Sequence, residues 1–316
     1  MQLVLGSERI LAGSTCDPAS GIVRWAPEKS LWIGSMSAAA LILGPVHFTW
    51  DAFLLFLLTS GITLCAGHSV GMHRRLIHNS FECPLWLEYV CVYLGVLVGM
   101  AGPIGMIRLH DLRDWAQRQP ACHDYFAHRA GFWRDGWHQL HCRLDLDNPP
   151  EFRLEPRLAN DRLYASLERT WVAQQLPWAV VFFAMGGMPW LVWGICARVA
   201  VCVTGHWLVG HYAHREGGQT WMVDGACVQG YDVKLAGLIS MGESWHNNHH
   251  AFPGSARLGL EVGQVDLGWA LILAFERAGL TWNIMTPERL PHRSALRRVA
   301  ERGQGCPLLA RLAAQQ

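Results

Sequence analysis

Sixteen histidines is a heavy load for 316 residues, and they are clustered. In the block Gly242-Glu243-Ser244-Trp245-His246-Asn247-Asn248-His249-His250, His246, His249 and His250 fall at i, i+3 and i+4. That spacing puts three imidazoles on one face of a helix, aimed at a shared metal. An upstream block holds His73 and His78, five apart, with His68 five residues earlier. On an α-helix positions five apart lie about 140° from each other. The pair therefore cannot face one metal without distortion, but can flank two, with His68 in a supporting place. His206, His211 and His214 lie between the blocks, and one of these three is expected to be a ligand.

The elements that must carry these clusters are membrane helices. The chain is 51% hydrophobic and only 16% charged, with 16 tryptophans, a residue that favours membrane–water interfaces. A net charge of +1 gives no global sign of nucleic-acid binding. The ten cysteines form no CxxC pair, so they read as reduced, with no disulfide framework. The N-terminal MQLVLGSERILAG is broken by Glu8 and Arg9 and does not read as a signal peptide.

Two apolar hairpins stand out, residues 31–46 with 50–67, and 171–185 with 190–209, the second turning at Gly186-Gly187-Met188-Pro189. Each arm approaches the roughly 20 residues that cross a bilayer. The turns lack Lys and Arg, whereas both ends and the segment from Arg74 to Arg169 hold most of them. Both ends and that middle segment are therefore expected on the cytoplasmic side. Arg198, inside the fourth arm, is expected to face protein or the cytoplasmic end. Residues 84–107 are apolar but interrupted by Glu88 and by Gly99, Gly102, Pro103 and Gly105, which predicts an interfacial or re-entrant helix. The expected fold is an all-α integral membrane domain, with four transmembrane helices and a cytoplasmic helical cap carrying the histidines. A cytoplasmic tail over about 254–316 completes it.

The blocks GMHRRLIHNSFE and GESWHNNHHAFPGSARLG resemble the two outer histidine boxes of the acyl-CoA desaturase family, and the likeness runs from about Leu31 to Leu267. The resemblance implies two iron ions, with dioxygen as co-substrate, and a cis double bond made in a saturated long-chain fatty acyl substrate. It implies His73, His78, His110, His214, His246, His249 and His250 as ligands. Two departures matter. Where the family's middle box continues with two histidines, this chain has Arg113 and Asp114. Asp114 can replace one imidazole, while Arg113 cannot ligate and is expected to pair with Asp111 or Asp114. The family's Asn four residues before the extra histidine is here Gly210, for which His211, His123 or His128 could compensate, although the polar stretch CHDYFAHR favours a solvated setting for the last two.

The substrate is expected in a kinked apolar tunnel, its carrier being coenzyme A, an acyl carrier or a lipid. Arg74, Arg75 and Arg108 suit its headgroup or simply follow the charge bias of a cytoplasmic face. No dinucleotide fingerprint, haem-attachment motif or thiolate cluster is present. Electrons are thus expected from a separate ferredoxin-like or small haem protein with its reductase. The arginine-rich tail (Arg289, Arg293, Arg297, Arg298, Arg302, Arg311) reads as a cytoplasmic helix that docks such a donor or hugs the lipid surface. Compact loops fit a bacterial inner membrane. The competing readings are a histidine-box hydroxylase or ketolase, and a non-catalytic lipid-binding relative.

Overall fold

The structure is a computed structural model and describes residues 9–299. Three helices are long and apolar enough to cross a membrane: α1 (Pro27–Val46), α2 (Trp50–Ile77) and the helical run Gln175–Ala213. Thr49 ends the short α1–α2 link and caps α2, its hydroxyl accepting from Ala52 N at 3.3 Å. The run Gln175–Ala213 is not straight. At Gly187 the backbone takes φ 64° and ψ −153°, a conformation open essentially to glycine. Beyond it the chain turns back. The Arg198 guanidinium donates to Gln175 Oε1 at 2.5 Å, although 23 positions along an unbroken helix would separate them by about 35 Å. Phe182 likewise packs on Gly194, where a Cβ would meet its ring at 2.7 Å. The sequence-level turn at Gly186–Pro189 is thus a real hairpin.

Its returning arm packs against both α1 and α2. Trp193 donates to Gly44 O at 3.2 Å and sits edge-on to Phe48, Phe53 and Phe56. Outward faces present Leu31, Leu41, Leu54, Leu58, Val180 and Phe183, a charge-free apolar surface of the kind lipid covers. Arg198 is buried against protein, bonded to Gln175 and to the carbonyls of Gly194 and Leu97.

The second span was expected to end at Gly67, yet α2 runs ten residues further, to Ile77. Over Thr63–Ile77 it is wound as a π-helix. The stretch 84–107 divides into α3 (Leu85–Val96) and α4 (Pro103–Arg118), separated by a turn with Gly99 at φ +87°. At 12 residues α3 is about 18 Å long, short of a bilayer crossing. It lies directly on the π-wound part of α2. Cβ atoms at Gly67 and Gly71 would stand 2.4 and 2.5 Å from the backbones of Gly95 and Cys91.

The hairpin run Gln175–Ala213 is α8 in chain order, and the shorter helices are α5 (Phe132–His141), α6 (Pro156–Ala159), α7 (Arg162–Thr170), α9 (His246–Ala251) and α10 (Leu267–Arg277). Three two-stranded antiparallel sheets pin loops together. They join Ile10–Leu11 to Glu151–Phe152, Gly21–Trp25 to Cys142–Leu146, and Trp221–Val223 to Leu296–Arg298. The last pair corrects the expected tail helix: Arg297 and Arg298 lie in a strand and Arg289 in a single 3-10 turn. Antiparallel pairing with Trp221–Val223 takes up the backbone of Leu296–Arg298, and Arg298 lies over the Trp221 ring, contacts that a helix would forgo. Arg302 and Arg311 lie outside the described residues.

Candidate metal centre

Four histidines from three helices converge first. His73 comes from α2, His78 caps its end, His110 comes from α4 and His249 from α9; their ligand atoms all lie within 4.8 Å of one another. The 140° objection to His73 and His78 fails because the helix between them is not α. In π winding the bond runs i→i+5, so residues five apart return to nearly the same face. His78 N bonds to His73 O at 3.0 Å, the last bond of that register. The two Nε2 atoms end 3.2 Å apart.

His214, His246 and His250 form a second group under the same 4.8 Å limit. His246 Nε2 stands 3.1 Å from both His214 Nε2 and His250 Nε2. His214 Nδ1 donates to Gly210 O at 2.7 Å, which turns its Nε2 lone pair into the group. The groups adjoin through α9: the rings of His246 and His249 are 5.4 Å apart. Burial pushes His78, His214, His246 and His249 well below the usual histidine range, and His250 to about 4. At neutral pH these are uncharged bases, and lone pairs that converge at about 3 Å are satisfied by a shared cation. The donor set fits two metal ions.

Supporting contacts hold the rings. Glu243 Oε2 approaches His73 Nδ1 at 2.5 Å. Burial works against its charge, yet His73 and Arg74 keep this carboxyl well below the usual range. Arg9 donates to Leu76 O, Ile77 O, Asp111 and Glu155, tying the end of α2 to α4 beside His110. Arg293 donates to His250 O and Ala251 O at 2.8 and 2.7 Å, closing the end of α9.

The other expected site residues fall outside the two histidine groups, some of them beside the cavity. Asp114 belongs to neither group; its Oδ2 accepts from Arg118 at 2.7 Å. Burial alone would raise this carboxyl, but His110, Arg118, His249 and His250 hold it well below its usual range. It lines the same cavity as His73, His110, His214 and His246. Arg74 and Arg75 are buried and committed, Arg74 to Asp266, Glu243 and Ala256 O, Arg75 to Glu88 and Asn79. Neither presents its guanidinium to a headgroup, because both are buried and held by carboxylates. Arg108 is exposed.

Arg113 pairs with neither Asp111 nor Asp114. It donates to His128 Nε2 at 2.7 Å and to Gln139 Oε1 at 2.8 Å. His128, expected in solvent, is 1% exposed, and its Nδ1 donates to Asp135 Oδ2 at 2.9 Å. The same oxygen accepts from Trp207 Nε1 and His211 Nδ1, both at 2.8 Å. His128, Asp135 and His211 also bring their ligand atoms within 4.8 Å of one another. Their hydrogen bonds are mutually satisfied, however, so they read as a hydrogen-bonded support. His128 stacks on His214 with ring centroids 5.2 Å apart. A Cβ at Gly210 would come within 3.3 Å of His128 Nε2, so the glycine leaves the room that this ring occupies. His123 is remote, its Nδ1 accepting from Tyr125 N.

Asp135, Glu243 and Arg293 were not singled out as part of the site from sequence. The helix leaves Trp133 and Trp137 exposed and buries Asp135 and Gly136, the reverse of what polarity suggests, so the letters carried no signal for Asp135. A cavity of about 230 Å³ opens beside the first group, walled by Trp32, Met106, Leu109, Trp171 and Val203 among others.

No protein-family model matches the chain. Over 253 residues it is 34% identical to a probable chloroplastic lipid desaturase of Arabidopsis thaliana, covering 78% of this chain and 67% of that one. It is 32% identical over 269 residues to the sn-1 stearoyl-lipid 9-desaturase of Anabaena variabilis (82% and 95%). It is 30% identical over 250 residues to an acyl-CoA 5-desaturase of Anemone leveillei (79% and 76%). Likeness to enzymes that desaturate lipid-bound and CoA-bound acyl chains, sustained along more than three-quarters of this sequence, leaves one family open: the chain belongs to the fatty-acid desaturases and is a membrane oxidoreductase.

Proposed function

We propose that the two histidine groups hold two iron ions and that the enzyme uses dioxygen to place a cis double bond in a long acyl chain lying in the adjoining cavity. The observation that carries this is the convergence of seven imidazoles into two adjacent groups beside one apolar-walled cavity. His73, His78, His110 and His249 would hold one ion; His214, His246 and His250 the other, with Asp114 as a further carboxylate neighbour. When bound, the iron pair supplies the oxidising power for removing hydrogen from two neighbouring methylenes. The chain's own residues do the rest. Gly210 O fixes the His214 tautomer, Glu243 steadies His73, and the aromatic wall orients the acyl chain and excludes water.

Electrons come from a separate donor, ferredoxin-like or a small haem protein with a reductase. Four arms of the two hairpins cross the membrane, and the histidine-bearing cap faces the cytoplasm of a bacterial inner membrane. Exposed Arg108 is left to meet a headgroup. Iron stoichiometry of the purified protein tests the centre: about two irons per chain are expected. His249→Ala and His250→Ala should each lower this to about one, and Asp114→Ala should lower it partly. Incubation with a reductase system and saturated acyl lipids should yield alkenes. An alcohol product, or wild-type protein holding one iron or none, would overturn the reading.

A further inference from the structure

Two histidines face the cavity without belonging to any convergent group: His68 from α2 and His206 from the returning arm of the second hairpin. Their rings meet edge to face at 4.9 Å. His68 is 8% exposed, and its Nδ1 is buried with no hydrogen-bond partner. His206 has open surface and lines the same cavity. His68 precedes His73 by five residues on the π-wound segment, so it presents to the same side one turn further along, its ring parallel to that of His73 at 6.5 Å.

A plain hydrocarbon chain has nothing to offer these nitrogens. An apolar side chain in either place would line the cavity without the desolvation penalty of an unpaired polar atom. Two neutral imidazoles together present an N–H donor and a lone-pair acceptor. A hydroxyl group can accept from the first and donate to the second. We infer that His68 and His206 form a polar subsite for a hydroxyl group on the acyl chain, a few carbons from those presented to the first histidine group. The substrate class is then a hydroxylated long-chain acyl group, saturated at the reacting carbons. This deepens the desaturase reading and rests on it for the identity of the chain in the cavity.

Binding to the full-length protein in detergent tests it. Trp32, Trp171 and Trp207 line the cavity and report occupancy by fluorescence. Stearic acid is compared with a positional series of monohydroxystearic acids. One hydroxyl position should bind about ten-fold more tightly than stearate, the upper range for a well-made neutral hydrogen bond. His68→Leu and His206→Leu should each reduce that preference to within about twofold, while His206→Gln, which keeps a donor and an acceptor, should retain part of it. Iron content of each variant shows whether the fold persists. No preferred position in the wild-type protein, or a preference that survives in iron-replete leucine variants, would overturn the subsite. A hydroxyl preference in protein that holds no iron and makes no alkene would sink the di-iron reading and leave the subsite standing.

Discussion

Asp135 shows how one buried carboxylate organises a neighbourhood. A single oxygen accepts from His128, His211 and Trp207, and His128 in turn receives Arg113 and stacks on His214. Arg113 and Gly210, the positions where the resemblance implied departures, thus meet on one imidazole. Replacing the acid removes a charge from an otherwise paired buried network, so Asp135→Asn should cost about 3 kcal/mol, read by thermal unfolding in detergent. It should also lower iron in the second group. Burial opposes ionisation, but the three donors hold this carboxyl below its usual range. A depressed folded pKa stabilises above the unfolded value of about 4 and loses that contribution as pH falls toward the folded value. The stability gap between wild type and Asp135→Asn should therefore be constant above about pH 5 and shrink below about pH 4.

At the scale of elements, π winding over Thr63–Ile77 decides which side chains reach the metal groups, and α3 packed on two glycines holds that winding in place. A methyl at position 71 would stand 2.5 Å from the Cys91 backbone, with no flexible side chain to yield. Gly71→Ala should push α3 away, cost about 1–3 kcal/mol as overpacking does, and lower iron in the first group by moving His73. Elemental analysis beside a melting curve checks both. Retained iron with an unchanged melting point would show that α2 keeps its winding without α3. The histidine spacing of five was plain in the sequence, but its meaning depended on a winding that only packing selects.

For the whole molecule the testable quantity is sidedness. The hairpin closed by Gln175 and Arg198, together with the α1–α2 pair, gives four arms; Trp190, just past the Gly187 turn, donates to Asp51 beside Thr49, so the two turns share one end. Cysteines placed singly at Thr49 and Met188 in a cysteine-free background should label with an impermeant maleimide from one side only. One placed at Arg118 should label only from the other. Labelling of all three from one side would refute the four-span arrangement.

The sequence by itself determined the apolar hairpins, the break at Gly187, the two outer histidine blocks and the family. These depend on composition, local conformational freedom and spacing along one chain. It left undecided the partners of Arg74, Arg75, Arg113 and His128, and the strand that replaces the tail helix. Some of those contacts are local, as His128 with Asp135, but the deciding ones span tens to hundreds of positions: Arg113 reaches Gln139, Arg74 reaches Asp266, and Trp221 pairs with Arg298. A buried guanidinium and a solvent-facing one are the same letter. Only the tertiary structure, by removing water from one and supplying it with acceptors, separated clamps from candidate headgroup contacts and brought seven distant imidazoles onto two points.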